Sequence, residues 1–82
     1  MMNSEGNLKK NSEVLVFFAD GFEEIEAIGA VDILRRGGLD VATVSITDKK
    51  EVVGAHGVTI VTDTVIDEVT GAKPKWIVLP GG

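Results

Sequence analysis

Four carboxylates crowd one short stretch, Asp20, Glu23, Glu24 and Glu26 in "FFADGFEEIEA", residues 17–27. Carboxyl groups do acid–base work when their surroundings separate their proton affinities, so the first question is which of the four has unusual surroundings. Asp20-x-x-Glu23 has the spacing of a capping box, and Glu23 and Glu24 belong to a first helical turn, where the helix dipole favours negative charge. Glu26 differs. With helical residues placed about 100° apart, Ala27, Ala30, Val31 and Leu34 fall on one side of it and Phe22, Ile25, Ile28, Gly29 and Ile33 on the other. Glu24 and Arg35 form the polar seam between these faces. A carboxylate bordered by two apolar faces loses solvation, which disfavours its charged form. Glu26 is therefore either a functional acid or a structural border residue. Asp32 and Arg36, four apart on the same helix, have the spacing of an ion pair. Asp, Glu and His are not grouped in the sequence at metal-ligand spacing, so no metal or cofactor is expected. His56 stands alone.

The elements that must position these residues alternate. "VLVFFA" (14–19) is a continuous apolar run, the pattern of a strand covered on both faces, and "DGFEE" opens a helix running to about Arg36, stopped by Gly37-Gly38. "DVATVSI" (40–46) is a second strand. "EVVGAHG" is an irregular short strand and bend, and "VTIVTD" (58–63) is an alternating strand. A short acidic segment around "VIDEV" precedes the Pro74 loop, and "WIVLP" (76–80) is another buried strand. Apolar strands alternating with a crossover helix predict an α/β fold, a three-layer sandwich on a mostly parallel sheet. In such sheets ligands bind at the carboxyl ends of the strands, which here carry "ADG" and "PGG". Residues 1–12 lack periodicity and read as a disordered lead-in to an ordered unit at 13–82.

Composition narrows the classes. The chain has 82 residues, is 44% hydrophobic and carries a net charge of −5, enough apolar content for one modest core. Its start lacks the apolar stretch of a secretory signal and no run approaches the ~20 residues of a membrane span, so a cytoplasmic protein without a membrane partner is expected. Scattered basic residues in an acidic chain argue against nucleic acid. There is no cysteine. Apolar side chains on two faces of the helix predict that Ile25, Ile28 and Gly29 lie in a subunit interface of a homodimer, with Gly29 allowing close backbone approach.

The order "VLVFFADGFEEIEAIGAVDILRRGG", then "VVGAHGVTIVTD", then "WIVLPGG" resembles the amino-terminal part of the ThiJ/PfpI family, over about residues 13–82. The resemblance implies a flavodoxin-like fold of the class I glutamine amidotransferase type. It implies that Glu26, protonated, hydrogen-bonds a nucleophilic cysteine on a turn after a later strand. Gly81 and Gly82 match the family's turn where backbone N–H groups build an oxyanion-type site. The outer helix face matches the dimerisation surface of many members, with Arg36 near it. His56 falls where some relatives carry an arginine close to the partner subunit's site, so it faces either the pocket or the interface, or else stands as an ordinary loop histidine in solvent.

The implied activity is cysteine-dependent action on a small-molecule carbonyl or on glycated adducts, as a hydrolase, glyoxalase or deglycase, or a role in oxidative stress or as a chaperone. The cysteine would lie some 30 residues beyond Gly82, so the remainder of the same protein is the first expected partner, and residues 1–82 are expected to be one piece of it. The rival from another class is a noncatalytic dimerising α/β interaction module, told apart by whether a cysteine follows between a strand and a helix. A dinucleotide-binding domain would need G-x-G-x-x-G after the first strand, and a phosphoacceptor receiver would need paired acids there. Neither pattern is present.

Overall fold

The computed structural model describes residues 11–81. Most of the expected lead-in, and Gly82, therefore lie outside the described residues. Order begins slightly earlier than expected, since Ser12 is buried and its hydroxyl donates to Asp40 Oδ1 at 3.4 Å.

Strand β1 (Val14–Phe18) leads through the Asp20-Gly21 turn into helix α1 (Glu24–Arg36), which returns the chain to β2 (Val41–Ser45). Two short strands, β3 (Glu51–Val53) and β4 (Thr59–Val61), follow as an antiparallel hairpin, with Val52 opposite Ile60. β5 (Thr64–Val65) enters a 3₁₀ turn at Ile66–Val69, and β6 is Trp76–Val78. The main sheet has the order β5-β2-β1-β6, and every pairing in it is parallel. The two-residue β5 and the 3₁₀ turn are too short for periodicity to separate them from loop.

β1 sits inside the sheet between β2 and β6, which is why its sequence is apolar on both sides. Val14, Val16 and Phe18 point to one face, where they join Phe22, Ala27, Val31, Val41 and Val52 in the larger core cluster. Leu15 points to the other, with Ala42, Val44 and Val69. Each large side chain so buried contributes about 1.5–3 kcal/mol. The rings of Phe18 and Phe22 meet edge to face, with centroids 5.0 Å apart.

Helix α1 packs Ala27 and Val31 against the sheet as its periodicity predicts, with Leu34 partly buried beside them. Its start differs from the expected capping box. Glu23 is the N-cap residue but makes no side-chain cap bond, and Asp20 instead accepts from the Val53 N–H at 3.0 Å, tying the β1–α1 turn to the hairpin. Arg35 and Arg36 lie in the last turn, where cations complement the helix dipole. Arg35 is not part of a free polar seam: it donates to the Val41 carbonyl and to Asp63 Oδ2, and Asp63 also accepts from the Thr43 N–H. The Asp32–Arg36 pair is present at 3.7 Å.

β6, read from its apolar residues as a buried strand, is open in this chain. It is an edge strand paired only with β1, and Trp76 (66% exposed) and Leu79 (75%) are open, because no described element packs across them.

Candidate functional site

The carboxyl ends of β1 and β6 open into a cleft of about 450 Å³ lined by Phe17, Asp20, Phe22, Ile46, Leu79 and Gly81, among others. This is where a parallel sheet places a ligand, because the loops diverge there and leave a crevice. The first turn of α1 fixes one wall. The Glu23 N–H donates to the Gly81 carbonyl at 2.9 Å, and the Gly81 N–H donates to Glu26 Oε1 at 3.0 Å. A helix start that lacks a side-chain cap thus finds an acceptor on the end of β6. The structure brings Glu26 and Gly81 together.

Two expectations change. Glu26 is exposed rather than held between two buried faces, because the face bearing Ile25 (84% exposed) and Ile28 is uncovered in the single chain. The Gly81 N–H, expected to serve an oxyanion, is directed at Glu26 instead. Gly82 lies outside the described residues. Gly29 is half-buried on α1, with open space where a side chain would project.

The buried acid is Glu24, at 7% exposure. Its Oε2 accepts from the backbone N–H of His56 at 2.7 Å and of Val58 at 3.3 Å, and its Oε1 meets His56 Nδ1 at 2.8 Å. Loss of solvent around this carboxyl favours the neutral form, but the His56 ring and the backbone N–H groups of Glu24, His56 and Val58 together outweigh it and lower the pKa to about 2. His56 is shifted the other way. Its hydrogen bond to Glu24, then the charges of Glu24 and Glu23, raise its pKa above the ordinary value, against a smaller opposing effect of desolvation. The imidazole is 71% exposed yet anchored, so His56 is neither a free loop histidine nor part of the lining of the cleft.

Sequence reading missed this pair because the partners are 32 positions apart. The detectable signal was Gly54 beside the histidine. A Cβ there would collide with the Glu24 side chain, so the backbone can approach the carboxylate only if position 54 is glycine.

Contrary to the expectation of no grouping, Glu23, Glu24 and His56 each bring one potential ligand atom within 4.8 Å of the others. Both Glu24 oxygens already accept N–H or ring-nitrogen bonds, so the cluster is satisfied as a hydrogen-bonded pair and we do not assign it a metal. Among the described residues, no helix is long and apolar enough to cross a membrane.

A parallel sheet, a cleft at its strand ends and a helical carboxylate bonded to the glycine after the last strand define an α/β protein with a strand-end site. The chain matches the DJ-1/PfpI family over residues 12–82 and belongs to it. It is 40% identical over 70 residues to the Arabidopsis thaliana protein named DJ-1 homolog B, covering 85% of this chain and 16% of that protein. It is 36% identical over 70 residues to a protein named as a deglycase from Thermococcus kodakarensis, covering 85% of this chain and 42% of that one. The crystal structure of a cysteine-to-alanine mutant of a DJ-1 superfamily protein from Salmonella typhimurium superposes with a TM-score of 0.83 at 42% identity, over 87% of this chain and 38% of that one. The chain thus spans less than half the length of the relatives it matches.

Proposed function

We propose that this chain supplies the glutamate side of a cysteine-dependent site that acts on reactive carbonyls or glycated adducts. The observation that carries the reading is the Glu26–Gly81 bond at the mouth of the strand-end cleft. With Oε1 taken by the Gly81 N–H, Oε2 is the oxygen left to meet a cysteine, whose thiolate is the nucleophilic form. Residues 1–82 contain no cysteine, so the sulfur comes from sequence outside them. The thiolate adds to the carbonyl carbon and the π pair moves onto oxygen. Relatives named as deglycases, from Thermococcus kodakarensis and Escherichia coli, favour carbonyl adducts as the substrate class.

The site works in a dimer joined through the outer face of α1. The support is the exposure of Ile25 and Ile28 there, with the small Gly29 between the rows. Arg36 lies at the end of the same helix, paired with Asp32. A noncatalytic module dimerising through that face is the second reading, favoured by the same exposure.

The test is consumption of a small α-oxoaldehyde such as methylglyoxal by the full-length protein. Glu26→Ala is expected to lower kcat/KM by about 10²-fold or more, and Glu26→Gln by less, because the amide remains a donor but cannot exchange a proton. Equal rates in all three proteins would remove Glu26 from the chemistry. A wild-type protein with no turnover would favour the noncatalytic module.

A further inference from the structure

We propose that Glu24 and His56 form a pH-dependent latch fastening the tip of the β3–β4 hairpin to the first turn of α1, closed while the imidazole is protonated and loosened when it is not. The inference stands apart from any thiol chemistry, because it uses neither Glu26 nor Gly81.

The geometry is that of a clasp. One carboxylate spans the gap between helix and hairpin and takes three donors from the turn at residues 54–58, two from backbone and one from the ring. The turn closes on itself through the Gly54 N–H to the Val58 carbonyl at 2.8 Å and the Gly57 N–H to the Gly54 carbonyl at 3.1 Å, so its tip moves as a unit. The Gly54 backbone lies close against the carboxylate, where a Cβ would overlap Glu24 Oε2. Solvent reaches the outer side of the imidazole, so its proton exchanges freely while the carboxylate it faces stays covered.

The charges around the ring bias the latch one way. Glu23 and Glu24 face it from α1, and Asp20, from the β1–α1 turn, holds the Val53 N–H on the strand that leads into the tip. Between Val52 and Val61 the hairpin carries no charged residue besides His56. The imidazolium therefore meets acidic neighbours only, consistent with its raised pKa. When the ring loses its proton the ion–ion attraction goes. One neutral tautomer still donates from Nδ1, while the other turns a lone pair toward Glu24 Oε1. A group whose folded-state pKa is raised stabilises fully below its unfolded value and loses that contribution as pH rises through the folded value. The latch is closed in mildly acidic solution and loosens on the alkaline side of ordinary histidine titration.

Amide exchange in the full-length protein reads this directly, because the His56 and Val58 N–H groups are the backbone donors to Glu24. Protection factors, corrected for intrinsic exchange, should fall by about two- to fivefold between pH 6 and 9, the span measured for exposed ion pairs, with the midpoint of the His56 ring titration. His56→Gln should abolish the step, and Glu24→Gln should move the ring titration back toward the ordinary value. A flat profile in the wild type, or a step that survives in His56→Gln, would overturn the latch. Should Glu24→Gln fail to fold, the coincidence of the amide and ring midpoints in the wild type decides alone.

Discussion

Two glutamates separated by one residue, Glu24 and Glu26, occupy the same helical turn and live in different chemical worlds. Glu24 is covered by the hairpin and takes N–H groups from His56 and Val58, whereas Glu26 lies exposed with a single bond from Gly81, which lines the cleft. Each carboxylate grips a glycine-bearing backbone segment, Gly54 in one case and Gly81 in the other. The difference teaches that burial on this helix is set by what lies across from it. The sheet covers Ala27 and Val31, the hairpin covers Glu24, and no described element covers Ile25. A group held by several donors in a covered place suits a fixed joint, and one held by a single donor at an open rim suits chemistry.

The strongest way to break this contrast is to push on the covered side. In Gly54→Ala the new methyl group would overlap the Glu24 carboxylate and the atoms behind it, so either the turn lifts or the side chain withdraws from its donors. Overpacking of this kind costs about 1–3 kcal/mol, and the gain from restricting the unfolded chain offsets only part of it. A clear fall in the denaturant midpoint is expected, together with loss of His56 and Val58 amide protection. A midpoint equal to wild type would mean that the turn has slack and that Glu24 is not a fixed joint.

Acid sharpens the comparison. Glu24 ionises near pH 2 in the fold, against an ordinary value of 4.5. A depressed folded value means a contribution present above the unfolded pKa and lost as pH falls through the folded one. Stability of the wild type should therefore drop between about pH 4.5 and 2 by more than that of Glu24→Gln, the two curves converging at the acid end. Denaturant midpoints measured across that range check it. Parallel curves would show that the hydrogen bonds to Glu24 do not prefer its anion.

The legible and illegible parts of the sequence divide along the same line. The apolar run at β1, the crossover length of α1 and the "ADG" and "PGG" strand ends were readable because each is a local pattern with one physical cause. From them followed the parallel sheet and the strand-end crevice, whereas a shared site for Glu26 and Gly81 was implied only by the family resemblance. Glu24 was misplaced because a helical wheel knows only the helix. It put Glu24 beside Arg35 in a polar seam, while the structure sends the first to a hairpin and the second to Asp63 and the Val41 carbonyl. Both partners are non-local, and no periodicity within α1 encodes them. In β6 likewise, apolar composition reports that a strand can be covered, and not that a described element covers it.

Gly81→Ala probes the open side and carries the smallest expected effect. A Cβ at Gly81 would stand 3.0 Å from Glu26 Oε1, tighter than ordinary contact by a few tenths of an ångström. The atom it meets is the far end of an exposed side chain, which can rotate away without uncovering a buried partner. Against that small clash stands the gain from removing a glycine from the unfolded chain, about 0.4–1 kcal/mol. The two oppose each other, so stability should stay within about 1 kcal/mol of wild type. The Gly81 N–H to Glu26 bond is the quantity that changes, and its amide exchange should quicken even where the denaturant midpoint does not move. A loss as large as that of Gly54→Ala would show that Glu26 is held as firmly as Glu24, and the division of labour between the two glutamates would fail.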